Sequence, residues 1–174
     1  GSASVLTLTG PITVSGTNPN VVATIAGTGT SALDLGGNGS FSIVADAAQF
    51  NGKTAQPYNP AVAITAVIQN GGIVKTGNGI LRLTGANTYA GGTALNEGGL
   101  MIGSAAALVF GTLTIASGTT LTADATAFGL NNTIKINGDF TLGNFFASQT
   151  GGSNNATAAL TLNGAVDFGT SVNR

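Results

Sequence analysis

Apolar and polar residues alternate along most of this chain. Triplets such as Leu6-Thr7-Leu8, Leu33-Asp34-Leu35, Phe41-Ser42-Ile43 and Leu81-Arg82-Leu83 place apolar side chains two positions apart. The same pattern runs through Leu113-Thr114-Ile115, Ile134-Lys135-Ile136, Phe140-Thr141-Leu142, Leu160-Thr161-Leu162 and Val166-Asp167-Phe168. A period of two is that of a β-strand with one buried and one wet face. Asp34, Arg82, Lys135 and Asp167 each hold the middle, outward slot of their triplet. Leu81 and Leu83 are therefore expected in the core, and Arg82 in water. Helical periodicity is nearly absent. Only 45–50 and 104–109 are candidates, each too short to be stable alone.

Turn signals separate the strands. Six Asn-Gly pairs begin at Asn38, Asn51, Asn70, Asn78, Asn137 and Asn163. Both residues tolerate φ > 0, which tight corners require. Asn-Gly is also the strongest short hairpin signal, so an antiparallel β-sandwich is the alternative fold. Against it, phrases recur: LTLTG at 6–10, LRLTG at 81–85, IKING at 134–138 and LTLNG at 160–164. The last two begin at 134 and 160, and that offset of 26 fits one coil of a β-solenoid. The other offsets are irregular, so some coils must carry insertions. Two loops suit that role. The segment 51–60, NGKTAQPYNP, holds two of the four prolines, and 147–156, ASQTGGSNNA, is small and polar. Outward threonines at Thr7, Thr9, Thr112, Thr114, Thr120, Thr122 and Thr161 would form polar ladders if they came into register.

Three short alternating runs, 80–84, 93–96 and 100–103, lie between glycine-rich corners in GIVKTGNGILRLTGANTYAGGTALNEGGLMIG, residues 72–103. This stretch closely resembles the autotransporter-associated β-strand repeat, K-x-G-x-G-x-L-x-L-x-G-x-N-T-Y-x-G-G-T. The match runs through Lys75, Gly77, Gly79, Leu81, Leu83, Gly85, Asn87, Thr88, Tyr89, Gly91, Gly92 and Thr93. Such repeats occur in secreted passenger regions of Gram-negative autotransporters and in large autotransporter-like surface proteins. The resemblance implies a right-handed parallel β-helix outside the cell or attached to its outer membrane. It implies a scaffold with no active site, in which Tyr89 packs a corner with Asn87. The expectation is a single β-solenoid segment, 1–174, of a longer protein. Gly1-Ser2 reads as a cloning remnant or as the start of an excised piece.

Composition narrows the chemistry. Charged residues are 6% of the chain, against roughly 25% in ordinary globular proteins, so Thr, Asn and Ser must coat the surface. A net charge of −1 gives no electrostatic case for nucleic acid. No apolar run is long enough to cross a membrane as a helix. With no Cys and no His, thiolate and imidazole metal sites are excluded, and no metal or cofactor is expected. The six acids, at 34, 46, 97, 124, 139 and 167, are too scattered to suggest the paired carboxylates of glycoside cleavage. A solvated structural role is expected for all six, with Asp34, Lys135 and Asp167 able to stack outward. No catalytic residue is assigned.

Lys53, Gln56, Tyr58 and Asn59 form the one loop with adhesive chemistry, an amphipathic ring beside amides and a cation. The expected function is a structural stalk or extracellular fibre with room for adhesion. Its partners would be adjacent segments or other copies end to end, with surface glycans or host surfaces next. A carbohydrate-active β-helix enzyme or carbohydrate-binding module is the alternative. Ice binding is disfavoured, because 112–114 and 120–122 are too close to occupy one coil each.

Overall fold

The computed structural model describes residues 4–16, 18, 20–37, 39–55, 59–108, 111–124, 127–143 and 159–169. Its elements are all strands and turns, and they succeed one another in coils. The first coil holds β1 (Val5–Thr7), β2 (Ile12–Ser15) and β3 (Ala23–Ile25). The second holds β4 (Ala32–Asp34), β5 (Ser40–Asp46), the hairpin β6 (Gln49–Phe50) and β7 (Lys53–Thr54), and then β8 (Pro60–Ile64). The third holds β9 (Val67–Gln69), β10 (Gly72–Thr76) and β11 (Ile80–Leu83). Two shorter coils come next, β12 (Thr93–Leu95) with β13 (Gly99–Ile102) and β14 (Leu113–Ile115) with β15 (Thr120–Ala123). The sixth holds β16 (Phe128–Leu130), β17 (Ile134–Ile136) and β18 (Thr141–Leu142), and β19 (Leu160–Leu162) and β20 (Val166–Asp167) end the series.

Each strand lies on its counterpart in the neighbouring coil. One sheet orders β2-β5-β10-β12-β14-β17-β20 and a second β18-β15-β13-β11-β8-β3, with β1-β4-β9 and β16-β19 as smaller ones. Among the described residues the only antiparallel pair is β6 with β7. All the other pairings are parallel, as expected of a β-solenoid and not of an antiparallel sandwich. The Asn-Gly signal thus had two outcomes. Asn51-Gly52, with φ of 49° and 72°, closes the hairpin; Asn70-Gly71, with 58° and 65°, turns a corner between β9 and β10. Local geometry is the same in both. The pairing differs because Lys53-Thr54 turns back on β6, whereas β10 finds its partners in the coils on either side.

The alternating pattern fills the interior with columns. Val62, Leu81, Leu100 and Leu121 lie in one register line that ends at the exposed Leu142, and Ile25, Ile64, Leu83, Ile102 and Ala123 in the next. Leu81 and Leu83 are fully buried, as the triplet predicts. Burying each such side chain stabilises by about 1.5–3 kcal/mol.

Several sequence expectations are corrected. The 26-residue offset is not a coil, because IKING supplies β17 and LTLNG supplies β19, which lie in different sheets. Ile134 actually sits beneath Val166, and Phe128 beneath Leu160, an offset of 32. Around the repeat the coil shrinks: Ile73 lies on Thr93 and Thr93 on Leu113, twenty residues apart each time. A strand-plus-corner phrase recurs on any face, so it does not mark one face. The threonine ladder fails for the same reason, since Thr7, Thr114, Thr120 and Thr161 lie in four different sheets, and Thr122 is buried. Thr114 and Thr120 occupy two faces of one coil, which leaves no ice-binding array there.

The short helix candidates are not helices. Ala45 and Asp46 end β5, Gln49 and Phe50 form β6, and 104–108 is a turn closed by Ala107 N–H donating to Ser104 O at 3.0 Å. The loop 51–60 is partly strand. Lys53 and Thr54 return as β7, and Pro60 opens β8 opposite Ile80, a strand start where a missing N–H is tolerated. The second loop, 147–156, lies outside the described residues.

Arg82 is not simply in water. Its Nε donates to Asp124 Oδ2 at 2.8 Å, and its guanidinium NH2 group contacts the same oxygen. Register places Met101 between Arg82 and Thr122, so the arginine spans two strand spacings, about 10 Å, across Met101. That cover fits the 1% exposure of outward-slot Met101. Leu83→Ala should destabilise by about 2–5 kcal/mol. Arg82→Ala should cost about 1 kcal/mol, for a half-exposed pair plus the packing of its stem. Thermal melts compare the two directly, and equal shifts would refute this division of roles.

Candidate functional site

Of the four adhesive-loop residues, Lys53 and Asn59 are among the described ones. Lys53 is exposed on β7. Gln56 and Tyr58 lie outside the described residues. Asn59 precedes β8 and lines a cavity of about 20 Å³ with Asp46, Ala48, Pro60 and Val21, room for about one water.

The polar chemistry concentrates elsewhere, inside coils three to five. Ile12, Ile43, Lys75, Leu95, Ile115 and Ile136 form one inward column of the seven-stranded sheet. Lys75 thus replaces an aliphatic residue in the core and is 0% exposed. Its Nζ donates to the carbonyls of Thr76 at 2.8 Å, Gly77 at 2.7 Å and Glu97 at 3.1 Å. An ammonium has three donors, so the group is fully satisfied. Burial pushes the Lys75 pKa down to about 8, while the Glu97 and Asp46 carboxylates hold it up. Glu97 also ties the corner: its Oε2 accepts the Gly77 N–H at 2.8 Å.

Asn87 performs the matching task at another corner. Its Oδ1 accepts the Ile68 N–H at 2.8 Å, and its Nδ2 donates to Ala107 O at 2.9 Å. One buried side chain therefore joins the coil before it to the coil after it, where regular strand pairing lapses between β9 and β16. The Tyr89 hydroxyl lies 2.7 Å from Thr93 Oγ1 and 3.4 Å from Ala107 O. Asn87 and Tyr89 thus share the Ala107 carbonyl, the corner packing that the resemblance implied. Burial pushes the Tyr89 pKa up to about 12, against the opposing bond to Thr93.

Four of the six acids, Asp34, Glu97, Asp124 and Asp167, have hydrogen-bonded structural partners. Asp34 accepts from Gln69 Nε2 at 3.0 Å, Asn70 Nδ2 at 2.7 Å and Gly36 N–H at 2.8 Å, and these bonds, the Gln69 one foremost, lower its pKa. Lys135 lies in register with Asp167 in the next coil, but Asp34 is in another sheet and does not stack with them. Among the described residues no group of three or more acids gathers to hold a metal, and no buried side-chain nitrogen or oxygen lacks a partner. A saturated network of this kind fastens coils together.

Sequence reasoning missed the Lys75 network. The signal was present, since Lys75 shares the parity of buried Ile73. The Arg82–Asp124 pair left no such signal, because 42 residues separate partners that only coil lengths bring together.

Comparison with known proteins points the same way. No curated protein and no solved structure was found to match the chain. Residues 73–102, which carry Lys75, Asn87, Tyr89 and Glu97, match the family model described as passenger-associated-transport-repeat, so this stretch is the autotransporter passenger repeat that the sequence resembles.

Proposed function

We propose that the chain is a single solenoid segment of a secreted, autotransporter-like surface protein of a Gram-negative bacterium. It serves as a stalk or extracellular fibre, wound right-handed as parallel crossovers nearly always are. The observation that carries this reading is the seven-stranded parallel sheet running through every coil. Six spacings of about 4.8 Å make it roughly 29 Å long, built by repetition along one axis. The passenger repeat lies in the middle of that sheet. The reading gives the segment no catalytic role, and it is supported by Asp34, Glu97 and Asp124 being engaged in hydrogen bonds that build the coils. Its partners in this reading are neighbouring segments or other copies, end to end. Surface glycans or host surfaces are adhesive partners in the same reading, with Lys53, Gln56, Tyr58 and Asn59 as the contact loop.

Antibodies to this segment should label intact cells that make the whole protein, and electron microscopy should show a rod. Labelling only after lysis would overturn the location, and a globular particle would overturn the stalk. Turnover of polysaccharide by the purified segment would favour the carbohydrate-active alternative.

A further inference from the structure

The described Asn-Gly pairs differ in how firmly the fold holds them. Asn70 Nδ2 donates to Asp34 Oδ2 at 2.7 Å. Asn78 Oδ1 accepts the Ala47 N–H at 2.9 Å, and Gly79 N–H donates to Ala45 O at 2.8 Å. Asn137 N–H donates to Ile115 O at 2.8 Å. Asn163 N–H and Gly164 N–H both donate to Leu130 O, at 2.8 and 3.2 Å. Each of these pairs is tied to a neighbouring coil.

Asn51-Gly52 is not tied in this way. It is exposed at the tip of the hairpin, whose ladder consists of Gln49 opposite Thr54 and Phe50 opposite Lys53. The further bonds lie at its base, Ala55 N–H to Ala48 O at 2.8 Å, Gln49 Nε2 to Thr54 Oγ1 at 3.2 Å and Gln49 N–H to Gly16 O of the first coil at 3.4 Å, so the tip opens without disturbing the coils.

We propose that Asn51 is a site of spontaneous deamidation that converts well ahead of Asn70, Asn78, Asn137 and Asn163 in the folded protein. The Gly52 amide nitrogen loses its proton to solvent base and attacks Asn51 Cγ. A new C–N bond closes a five-membered succinimide, and the carboxamide nitrogen leaves as ammonia. Water then adds across one of the two ring acyl–nitrogen bonds, leaving an aspartyl or an isoaspartyl residue. Net, one water enters and one ammonia departs, with no change of oxidation state. Glycine favours the attack because no Cβ crowds its nitrogen. The attack also requires Asn51 to leave its left-handed conformation at φ 49°, which opening of the hairpin allows. At the other pairs a bond from the asparagine or its glycine to a neighbouring coil must give before the glycine nitrogen can reach Cγ.

The product alters the tip. Lys53 is the one charged residue between Gln49 and Ala55, so a new carboxylate takes the hairpin from a net positive to a neutral tip. An isoaspartyl link also lengthens the turn by one backbone atom and breaks its two-residue geometry. The modification therefore changes the surface that carries Lys53 and the 69%-exposed Phe50 and leaves the coils intact.

The test is peptide mapping by mass spectrometry, with isoaspartate detection, after incubating the folded protein in mildly alkaline buffer. Conversion at Asn51 should run at least several-fold faster than at the other four sites. In denaturant the five should converge, and Gly52→Ala should slow only Asn51. Conversion at Asn70 or Asn78 as fast as at Asn51 in the folded protein would overturn the proposal. So would an inert Asn51 in a folded sample whose denatured control reacts.

Discussion

Lys75→Met should lower stability by about 2–4 kcal/mol, although it places an apolar side chain in an apolar column. Methionine matches the length of the lysine stem but brings no donors. The carbonyls of Thr76, Gly77 and Glu97 would each lose the Nζ bond, and a buried acceptor without a partner costs about 1–3 kcal/mol. Relief from burying an ammonium offsets part of that loss, which is why the net is smaller than three such penalties. Chemical denaturation measures it. A methionine variant as stable as the parent would show that the lysine is tolerated and not required.

The same residue predicts a pH dependence whose sign can be worked out. Lys75 has a folded pKa of about 8 against an ordinary 10.5. Between about 8 and 10 the unfolded chain keeps a proton that the folded chain has shed, so stability rises with pH. Tyr89 behaves oppositely, at about 12 folded against 10.0. Between about 10 and 12 the unfolded chain has lost a proton that the folded chain keeps, so stability falls. Their sum is a maximum near pH 10, with a rise of about 1–2 kcal/mol below it. Lys75→Met should abolish the rising limb and Tyr89→Phe should flatten the falling one. A profile that declines steadily from pH 8 in the parent protein would contradict the buried-lysine account.

Gly91→Ala should destabilise by about 3 kcal/mol or more, far beyond the usual effect of a surface alanine. A Cβ there would lie 2.6 Å from Gly71 O, 2.7 Å from Gly71 C and 2.8 Å from Gly72 N, closer than the 3.0 Å that real Cβ atoms respect. These are backbone atoms of the coil beneath, held by Gly91 N–H donating to Gly71 O at 2.7 Å. The coils would have to part at that corner. Gly118→Ala is the control: its φ is +76°, but nothing lies within 4 Å of a Cβ. It should cost only about 1–2 kcal/mol, the penalty of a left-handed alanine. Equal losses in the two variants would mean that the coils yield at Gly91 and that its close approach to Gly71 does not select glycine.

Much of the fold was legible because strand formation is local. Alternation alone placed Leu81, Leu83, Leu113, Ile115, Ile134 and Ile136 inside, and the structure buries them, whereas Leu6, Leu142 and Phe168, inward in the same pattern, are exposed. The runs read at 80–84, 93–96 and 100–103 became β11, β12 and β13 within a residue or so. The repeat's Asn87 and Tyr89 were placed at a corner from their resemblance, and they share a carbonyl there. Coil length was legible too, in Gly71, Gly91 and Gly111, but the louder recurrence of IKING and LTLNG pointed elsewhere.

Period two states which side chains face inward but not which strand lies next to which. That depends on how many residues each corner and insertion consumes, and the turns of twenty, twenty-one and thirty-two residues come from the whole stack. Hence the sequence could place Arg82 outward but could not see Asp124 two coils away. Nor could it see that an inward lysine would find three carbonyls around its ammonium, because Glu97 O belongs to the next coil. Local alternation and turn chemistry determined strand, face and corner. Tertiary structure decided register and every polar contact between coils, because those bonds join residues that only stacking brings within reach.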